Sequence, residues 1–380
     1  MLCFYSIEKG LMKLFQMDFW YCRDFADAAN KMIKDYNITI VDGVEFVSQG
    51  GDFLHTDSFG RHATEEQKQR WSKAIIEAPV IGFSKDIDWS GGFIIEQNLM
   101  LFPDPFMVKI GRWNSTYNQV SKHDISWDKK KEIAFGRFAD AENPKHGKTH
   151  EELAKDWAVD LPRLHAVLLS LKYPEYLDIR LTRMMPGWDD DSVLKILGIG
   201  HDKVLVNRTD IANHLEYKYL LSIDGTTAAW ERVEWILSSN SVLFLVETTK
   251  KEWFYPQMKA WVHYVPVNND LSDLIEKIKW AISHDEEVKE IAEAGSEFIK
   301  DNLQPKQISN DLINGVFDYA QKFYASEQVV EVDSEVTITR DDYYDQNMYS
   351  YVVAEAASSC VLAAGLRLSV AIESICFDTH

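Results

Sequence analysis

The sequence predicts an α/β fold built on parallel sheets, because apolar strand-like runs alternate with segments whose apolar residues recur at helical spacing. The strand-like runs are PVIGFS (79–84), FIIEQNLMLF (93–102), EIAF (132–135) and WVHYVPV (261–267). The helix-like segments are FADAANKMIKDYN (25–37), TEEQKQRWSKAIIEA (64–78), HEELAKDWAVDLPRLHAVLLSL (150–171) and two amphipathic helices within 270–303. Asp270 or Ser272 is expected to cap the first helix of that last pair.

Length and charge restrict the class of protein. A chain of 380 residues can bury the cores of two domains, and 46% hydrophobic with 26% charged residues is typical of a globular protein. The formal net charge of −20 argues against nonspecific binding of DNA or RNA. The sequence contains no run that is apolar for long enough to predict a transmembrane helix, and its N-terminal segment is a poor signal peptide.

The stretch KYLLSIDGTTAAWERVEWILSSNSVLF (218–244) combines an apolar run, a small-residue turn and a helix-like segment. At the carboxyl end of a strand, Gly225 lets the backbone approach a ligand, and the amides and dipole of the following helix attract an anion. Arg232 could add a bidentate contact to a phosphate. The alternative is a tight turn with a solvated arginine, since no glycine-rich dinucleotide fingerprint or P-loop pattern is present.

A wider set of motifs resembles glycosyltransferase family 90, the capsule-associated and lipopolysaccharide-modifying proteins that include the Rumi-type protein O-glucosyltransferases. The resemblance covers roughly residues 40 to 322. The pieces that carry it include KYLLSIDGTTAAW, SNSVLF, EWFYPQMKAWVHYVPVNNDLSDLIEKIKWA and IAEAGSEFIKDNL, with GVEFVSQGGD, PVIGFSK, GRW, WDKKKEIAFGRF and PRLHAVLLSLKYPEYLD upstream.

This resemblance implies a GT-B architecture, with two Rossmann-like domains facing each other across a cleft and a C-terminal tail in addition. We expect an N-terminal acceptor domain at 1–130, a nucleotide-sugar domain at 131–325 and a tail at 326–380. The family uses a nucleotide-sugar donor, inverts the anomeric configuration and needs no metal. No cofactor is therefore expected beyond the UDP-sugar, which serves as the donor substrate.

The resemblance also assigns the donor site. Arg163 and Arg232 are expected to bind the leaving phosphates, although a gapless alignment places Glu231 at the second position. Neither arginine is expected to lie in the core. The backbone of four residues that follow Gly225 is expected to contact the UDP diphosphate: Thr226, Thr227, Ala228 and Ala229.

The catalytic base is expected from the first domain, where a strand ends in Gly-Gly-Asp and Asp52 aligns with the family's catalytic aspartate. Inversion needs a carboxylate near the acceptor hydroxyl, opposite the departing UDP. The alternatives, which match the motif less well, are Asp42, Asp57 and Asp104.

Several tempting features have ordinary structural interpretations. The acidic run WDDD (188–191) is expected to be solvated rather than to bind a metal, and His55 and His263 are expected to be structural. Trp230 and Trp235 are expected in the core rather than as sugar platforms.

Two departures from the family pattern leave room for a weakened enzyme: a changed motif at 135–139 and a short N-terminal domain, in which part of the acceptor site is expected to be reduced. Where relatives carry Phe-Arg-Gly-Ser, this chain has Phe-Gly-Arg-Phe-Ala (135–139), so Phe138 replaces a glycine and Ala139 lacks a hydroxyl. The leading hypothesis is an inverting transferase that moves glucose, xylose or a related sugar from UDP to an acceptor. The alternatives are a degenerate member that binds nucleotide or a partner without catalysis, and an unrelated dinucleotide enzyme.

The expected acceptor is a glycan, a lipid-linked molecule or a protein, with a role in lipopolysaccharide biosynthesis or glycoprotein modification. The four cysteines, Cys3, Cys22, Cys360 and Cys376, have no zinc-site spacing, and they do not predict a disulfide framework, which favours a reducing compartment. We therefore expect a cytoplasmic protein. The Ala/Ser-rich tail suggests peripheral contact with the inner face of the membrane, although a terminal helix is the simpler interpretation.

Overall fold

The structure is a computed structural model in which two compact units can be distinguished. Unit 1 consists of Met1–Ile110, Lys251–Pro256 and Pro305–His380, and unit 2 consists of Gly111–Lys250 and Gln257–Gln304. The domain limits expected from the sequence stay a prediction. The structure describes residues 2–9, 11–16, 20–35, 38–40, 45–49, 80–86, 99–103, 110–139, 149–152, 161–184, 189–225, 227–229, 231–308, 310–312, 314–315 and 330–332.

Unit 1 contains a mixed sheet with strand order β2-β1-β4-β5-β7. Strand β1 pairs antiparallel with β2 and with β4, whereas β4, β5 and β7 run parallel. The N-terminal segment thus forms a hairpin, with Lys9 at a φ of 54° in its turn. The strands are β1 (Leu2–Glu8), β2 (Leu11–Gln16), β3 (Ile38–Ile40), β4 (Glu45–Gln49), β5 (Val80–Gly82), β6 (Ser84–Asp86) and β7 (Leu99–Leu101).

Helix α1 (Trp20–Asp35) is the amphipathic helix predicted at 25–37. Phe25, Ala29 and Ile33 recur every four residues and are buried, as the apolar face of a surface helix requires. Asn30 fixes the helix to β2, since its side-chain amide donates to the Met12 carbonyl and accepts from the Met12 N–H, both at 2.7 Å.

Unit 2 contains a five-stranded sheet in which every pair is parallel, in the order β13-β11-β10-β8-β9. Its central strands read as continuous apolar runs, and all five residues of β11 are buried, as expected for strands covered on both faces. The predicted α/β class with parallel strands is confirmed. The strands are β8 (Lys131–Ala139), β9 (Leu177–Arg183), β10 (Tyr217–Ser222), β11 (Val242–Val246), β12 (Lys250–Glu252, at the boundary between the units) and β13 (Val265–Val267).

The helices of unit 2 pack against this sheet, with α3 on β9, α7 and α9 on β11, and α8 on β13. Helix α2 begins one residue before the boundary of the unit. The helices are α2 (Ile110–His123), α3 (Pro162–Lys172), α4 (Asp189–Leu197), α5 (His201–Val204), α6 (Ile211–His214), α7 (Arg232–Leu237), α8 (Leu274–Ser283) and α9 (Asp285–Asn302).

Helix limits differ from the sequence prediction at two places. Helix α3 begins at Pro162, because proline at the first helical position has no N–H to leave unpaired. The prediction that Asp270 or Ser272 caps α8 is wrong, since the N-cap is Asp273. Asp270 instead accepts a hydrogen bond from the Ser272 N–H at 3.0 Å, in a turn where Leu271 has a φ of 58°.

The predicted strand at 261–267 is shorter than expected, because only Val265–Val267 is extended and Trp261 has a φ of 63° in the preceding turn. The predicted helix at 64–78 lies outside the described residues. In the predicted tail the structure describes β14 (Val330–Val332), which pairs antiparallel with β3 in unit 1. Among the described residues, no helix has both the length and the apolar character needed to cross a membrane.

His214 is a buried histidine between aromatic rings in unit 2. Its ring meets Phe135 edge-on at 4.9 Å and Trp235 at 5.4 Å, and its Nδ1 lies 2.9 Å from the Asp210 carbonyl oxygen. Burial lowers the pKa of His214 to about 4; the hydrogen bond to Asp210 opposes this fall, and the charges of Arg232 and Arg137 add to it. The folded protein therefore holds this imidazole neutral at pH values where the unfolded chain protonates it.

We expect His214 to destabilise the fold as the pH falls. Its pKa is lower in the folded than in the unfolded state, so its contribution is complete above pH 6.5 and is lost as the pH falls to about 4. The loss amounts to about 3 kcal/mol of unfolding free energy. Urea denaturation of wild type and His214→Gln at pH 8, 6 and 5 tests this. Identical pH slopes in the two proteins would show that His214 does not titrate in this way.

Candidate functional site

The order of strands in unit 2 creates one switch point, between β8 and β10. From β8 the chain crosses to β9 on one side, and the next strand, β10, lies on the other side of β8. In open α/β sheets, connections that leave in opposite directions open a crevice at the carboxyl ends of the two strands, and ligands bind there. Here those ends are residues 137–139 and the turn that follows Ser222.

Arg163 lies between the two strand ends. Its guanidinium donates to the Ala139 carbonyl at 2.9 Å and to the Ile223 carbonyl at 3.0 Å, so it joins the end of β8 to the end of β10. The side chain is 7% exposed. The prediction that Arg163 lies outside the core is therefore wrong, because its guanidinium fork is buried where it donates to backbone carbonyls of both strand ends.

Arg232, which follows β10 in the chain, contacts the same end of β8. It is the first residue of α7, is half-buried, and donates to the Arg137 carbonyl at 3.3 Å. Its Cζ lies 4.6 Å from the centre of the Phe138 ring, and the Cζ of Arg163 lies 5.5 Å from the same ring. Two arginines that lie 69 residues apart in the chain (232 − 163) are thus gathered around one aromatic side chain.

The segment between Gly225 and Arg232 differs from the predicted helix start. Helix α7 has six residues and begins at Arg232, with Glu231 as its N-cap. The amides of Thr227, Ala228 and Ala229 therefore belong to a turn, and the expected dipole of a helix that starts directly after Gly225 is absent from this described segment. Of the predicted anion site, the structure retains a turn that lies close to β10 and to the two arginines.

The turn itself is folded tightly. The Gly225 N–H donates to the Thr227 carbonyl at 3.0 Å, and the Thr227 hydroxyl donates to the Ala228 carbonyl at 3.1 Å. Thr227, Ala228 and Ala229 are buried. Thr226 lies outside the described residues.

Two residues that the sequence analysis missed hold this turn. The Asp224 carboxylate accepts a hydrogen bond from the Thr248 hydroxyl, and the Lys250 ammonium donates to the Gly225 carbonyl. Burial raises the pKa of Asp224, while the Thr248 hydrogen bond and the charges of Lys250 and Arg163 oppose this rise. Asp224 follows β10 and Lys250 follows β11, and these two neighbouring strands are parallel. This placement was the signal that could have identified the two residues, because the carboxyl ends of such strands meet at one edge of the sheet.

Arg137 is also near the strand end, but its charge is already engaged. Its guanidinium forms an ion pair with Asp178 at 2.9 Å and donates to the Asp178 carbonyl at 2.8 Å. It lies over the Phe135 ring at 4.0 Å, in the wall of a surface pocket of about 370 Å³ that also includes Arg208 and Tyr217. Arg137 therefore ties β8 to β9.

The remaining predicted residues divide into two groups. Asp52 and its alternatives Asp42, Asp57 and Asp104 lie outside the described residues, as do His55 and Trp230. Trp235 is in the core as predicted, and His263 accepts a hydrogen bond from the Lys259 N–H and packs against Phe298. Within the described parts of the chain, no three His, Cys, Asp or Glu side chains are grouped as a metal site.

The arrangement can bind an oxyanion. Two guanidiniums and the turn after β10 lie at the carboxyl ends of neighbouring parallel strands, where ligands bind in open α/β sheets, and guanidinium forks are suited to charge-assisted pairs with phosphate. A phosphate ester that enters there would meet Arg163 and Arg232 from two elements, α3 and α7.

Comparison with known proteins identifies a matching family and several relatives of this chain. The family described as Glycosyl transferase family 90 matches residues 100–364. Protein O-glucosyltransferase 2 of Danio rerio is 38% identical over 129 residues, which are 33% of this chain and 26% of that protein. Protein O-glucosyltransferase 1 of Homo sapiens is 29% identical over 285 residues, which are 74% of this chain and 63% of that protein.

The chain thus spans 26% to 63% of the length of these two relatives. Among solved structures, Anabaena Alr3699/HepE in complex with UDP and glucose overlaps 69% of this chain and 70% of its own, with 12% identity and a TM-score of 0.42. A likeness at this low score supports no conclusion about the activity of this chain.

The burial of Arg163 predicts a stability difference between the two arginines. Arg163→Ala leaves two carbonyls at the strand ends without this donor and should lower the free energy of unfolding by about 2–3 kcal/mol. Arg232→Ala removes a longer bond at a half-buried position and should lower it by less than about 1 kcal/mol. Urea denaturation at neutral pH measures both, and equal effects would contradict the structural role of Arg163.

Proposed function

The chain belongs to glycosyl transferase family 90, and we propose that it transfers a sugar from a UDP-sugar to an acceptor hydroxyl. The observation that carries this proposal is the pair Arg163 and Arg232 at the switch point of unit 2. Family membership supplies the reaction class, and the position of two guanidiniums supports a donor that contains a diphosphate.

The proposed reaction is metal-independent and inverting. When the bond between sugar and diphosphate breaks, negative charge develops on the leaving phosphate and has to be stabilised. Arg163 and Arg232 carry the two positive charges that a divalent cation supplies in metal-dependent transferases. The acidic run at 189–191 lies at the first turn of α4.

The proposed base is Asp52, which takes a proton from the acceptor hydroxyl on the face opposite the leaving UDP. The proposed architecture is GT-B, with unit 2 binding the donor through Gly225, Thr226, Thr227, Ala228, Ala229 and the two arginines. The named relatives are protein O-glucosyltransferases, which favours glucose and a protein acceptor. A glycan or lipid-linked acceptor at the inner face of a membrane, with a cytoplasmic enzyme, is the alternative.

A second candidate function is nucleotide binding without catalysis. Phe138 and Ala139 stand at the end of β8, where the family motif has a glycine and a serine, and Phe138 is buried there at 1% exposure. Sugar transfer or hydrolysis of the UDP-sugar distinguishes the two, because a binding protein retains affinity for UDP and releases no sugar.

Calorimetry of UDP binding tests the donor site. Arg232→Ala should weaken binding by about 1–3 kcal/mol, the range for a hydrogen bond to a charged group. Arg208→Ala is the matched control, because it removes an exposed arginine from the pocket on β8 and should leave the affinity unchanged. If wild type and Arg232→Ala bind UDP with equal affinity, the diphosphate does not bind at the switch point.

Asp52→Asn tests the proposed base. The amide keeps the size of the side chain and removes its basicity, so sugar transfer should fall by at least about a hundredfold. Affinity for UDP should change by less than about threefold, since a carboxylate does not attract a diphosphate. Retained transfer would move the base to another carboxylate, with Asp57→Asn as the next variant, and joint loss of UDP binding would assign Asp52 a structural role.

A further inference from the structure

Three consecutive residues at the end of β8 hold both phosphate-binding arginines. The Arg137 carbonyl accepts from Arg232, and the Ala139 carbonyl accepts from Arg163. Between them, the Phe138 ring lies within 6 Å of both guanidinium carbons, and its own carbonyl accepts from the Thr182 hydroxyl at 3.2 Å. We call residues 137–139 the arginine seat.

An aromatic ring in this seat has a different effect from a carboxylate. Two guanidiniums near each other repel, and a ring face offsets part of that repulsion because its quadrupole attracts cations. A carboxylate at the same place would offset more, but it would also repel an incoming diphosphate. A ring together with two carbonyls holds the side chains in place without adding a negative charge of its own.

Gly136 provides the space that the Phe138 ring needs. A Cβ at position 136 would lie 2.7 Å from Cε2 and 2.9 Å from Cζ of that ring, which is closer than carbon atoms approach without displacement. The ring is 1% exposed, so it has little freedom to move aside. The position of the ring thus depends on the absence of a side chain two residues earlier in the strand.

From this geometry we propose that Phe138 is a positioning residue of the donor site. Its ring occupies the space that Gly136 leaves open and holds Arg163 and Arg232 in place to bind the diphosphate. The inference rests on the proposed UDP-sugar site and adds a residue to it. Phe138 contacts the arginines and acts on the diphosphate through them.

The first experiment compares UDP with uridine, which lacks the phosphates, on full-length wild type and Phe138→Leu. Removal of the ring should raise the Kd for UDP by about tenfold and change the Kd for uridine by less than about twofold. Phe138→Met is a second variant without a ring, to be used if Phe138→Leu does not fold. Equal weakening of UDP and uridine binding would overturn the proposal, because it indicates a general loosening of the unit.

The second experiment separates positioning from packing. Gly136→Ala should lower both the melting temperature and the affinity for UDP, because the ring is displaced. In Gly136→Ala/Phe138→Leu the clash is absent, so the melting temperature should return to that of Phe138→Leu while UDP affinity stays low. Recovery of both properties in the double variant would show that the ring only fills space.

A double-mutant cycle identifies the route of the effect. If the ring acts through Arg232, then Phe138→Leu should weaken UDP binding much less in the Arg232→Ala background than in wild type. Full additivity overturns the inference. Failure of wild type to bind UDP overturns the proposed function and this inference together, whereas normal UDP binding by Phe138→Leu overturns this inference alone.

Discussion

The organisation of unit 2 depends on one buried guanidinium at a topological switch point. Buried backbone carbonyls need hydrogen-bond donors, and side chains can supply them where neighbouring strands end. Arg163 satisfies the ends of β8 and β10 together. Because the fork is planar and rigid, it also sets the separation of these two ends, on which the turn after Gly225 and the arginine seat are built.

The same interaction gives one residue of the proposed donor site a structural role as well. Arg163 donates to two backbone carbonyls, and its charge also acts on the buried Asp224 carboxylate, whose pKa rise it opposes. Two guanidiniums thus lie at the carboxyl ends of β8 and β10 in a chain whose formal charge is −20. Local charge, rather than the net value, decides which ligand such a crevice attracts.

The sequence predicted what depends on periodicity and on short motifs. The parallel sheet of unit 2, α1 and the C-terminal helices follow from apolar spacing, and Arg163 and Arg232 were selected through the family motifs. Burial of Arg163 could not be read from PRLHAV, since the carbonyls that hold it lie 24 and 60 residues away. Asp224 and Lys250 were missed for the same reason, because their importance arises where β10 and β11 end side by side. The N-terminal hairpin has no helix between its strands and so departs from the alternating pattern.

The division of the chain into units has a consequence for synthesis. Unit 2 is continuous from Gly111 to Gln304 apart from Lys251–Pro256, whereas unit 1 draws on residues from both sides of it. During translation the chain emerges from its N-terminus, and compact units fold when their residues are present. Unit 2 can therefore complete its core as soon as residue 304 has left the ribosome. Unit 1 begins to emerge first, but its strand β3 pairs with Val330–Val332, which are synthesised after unit 2. Unit 2 can therefore be folded while unit 1 still lacks part of its structure.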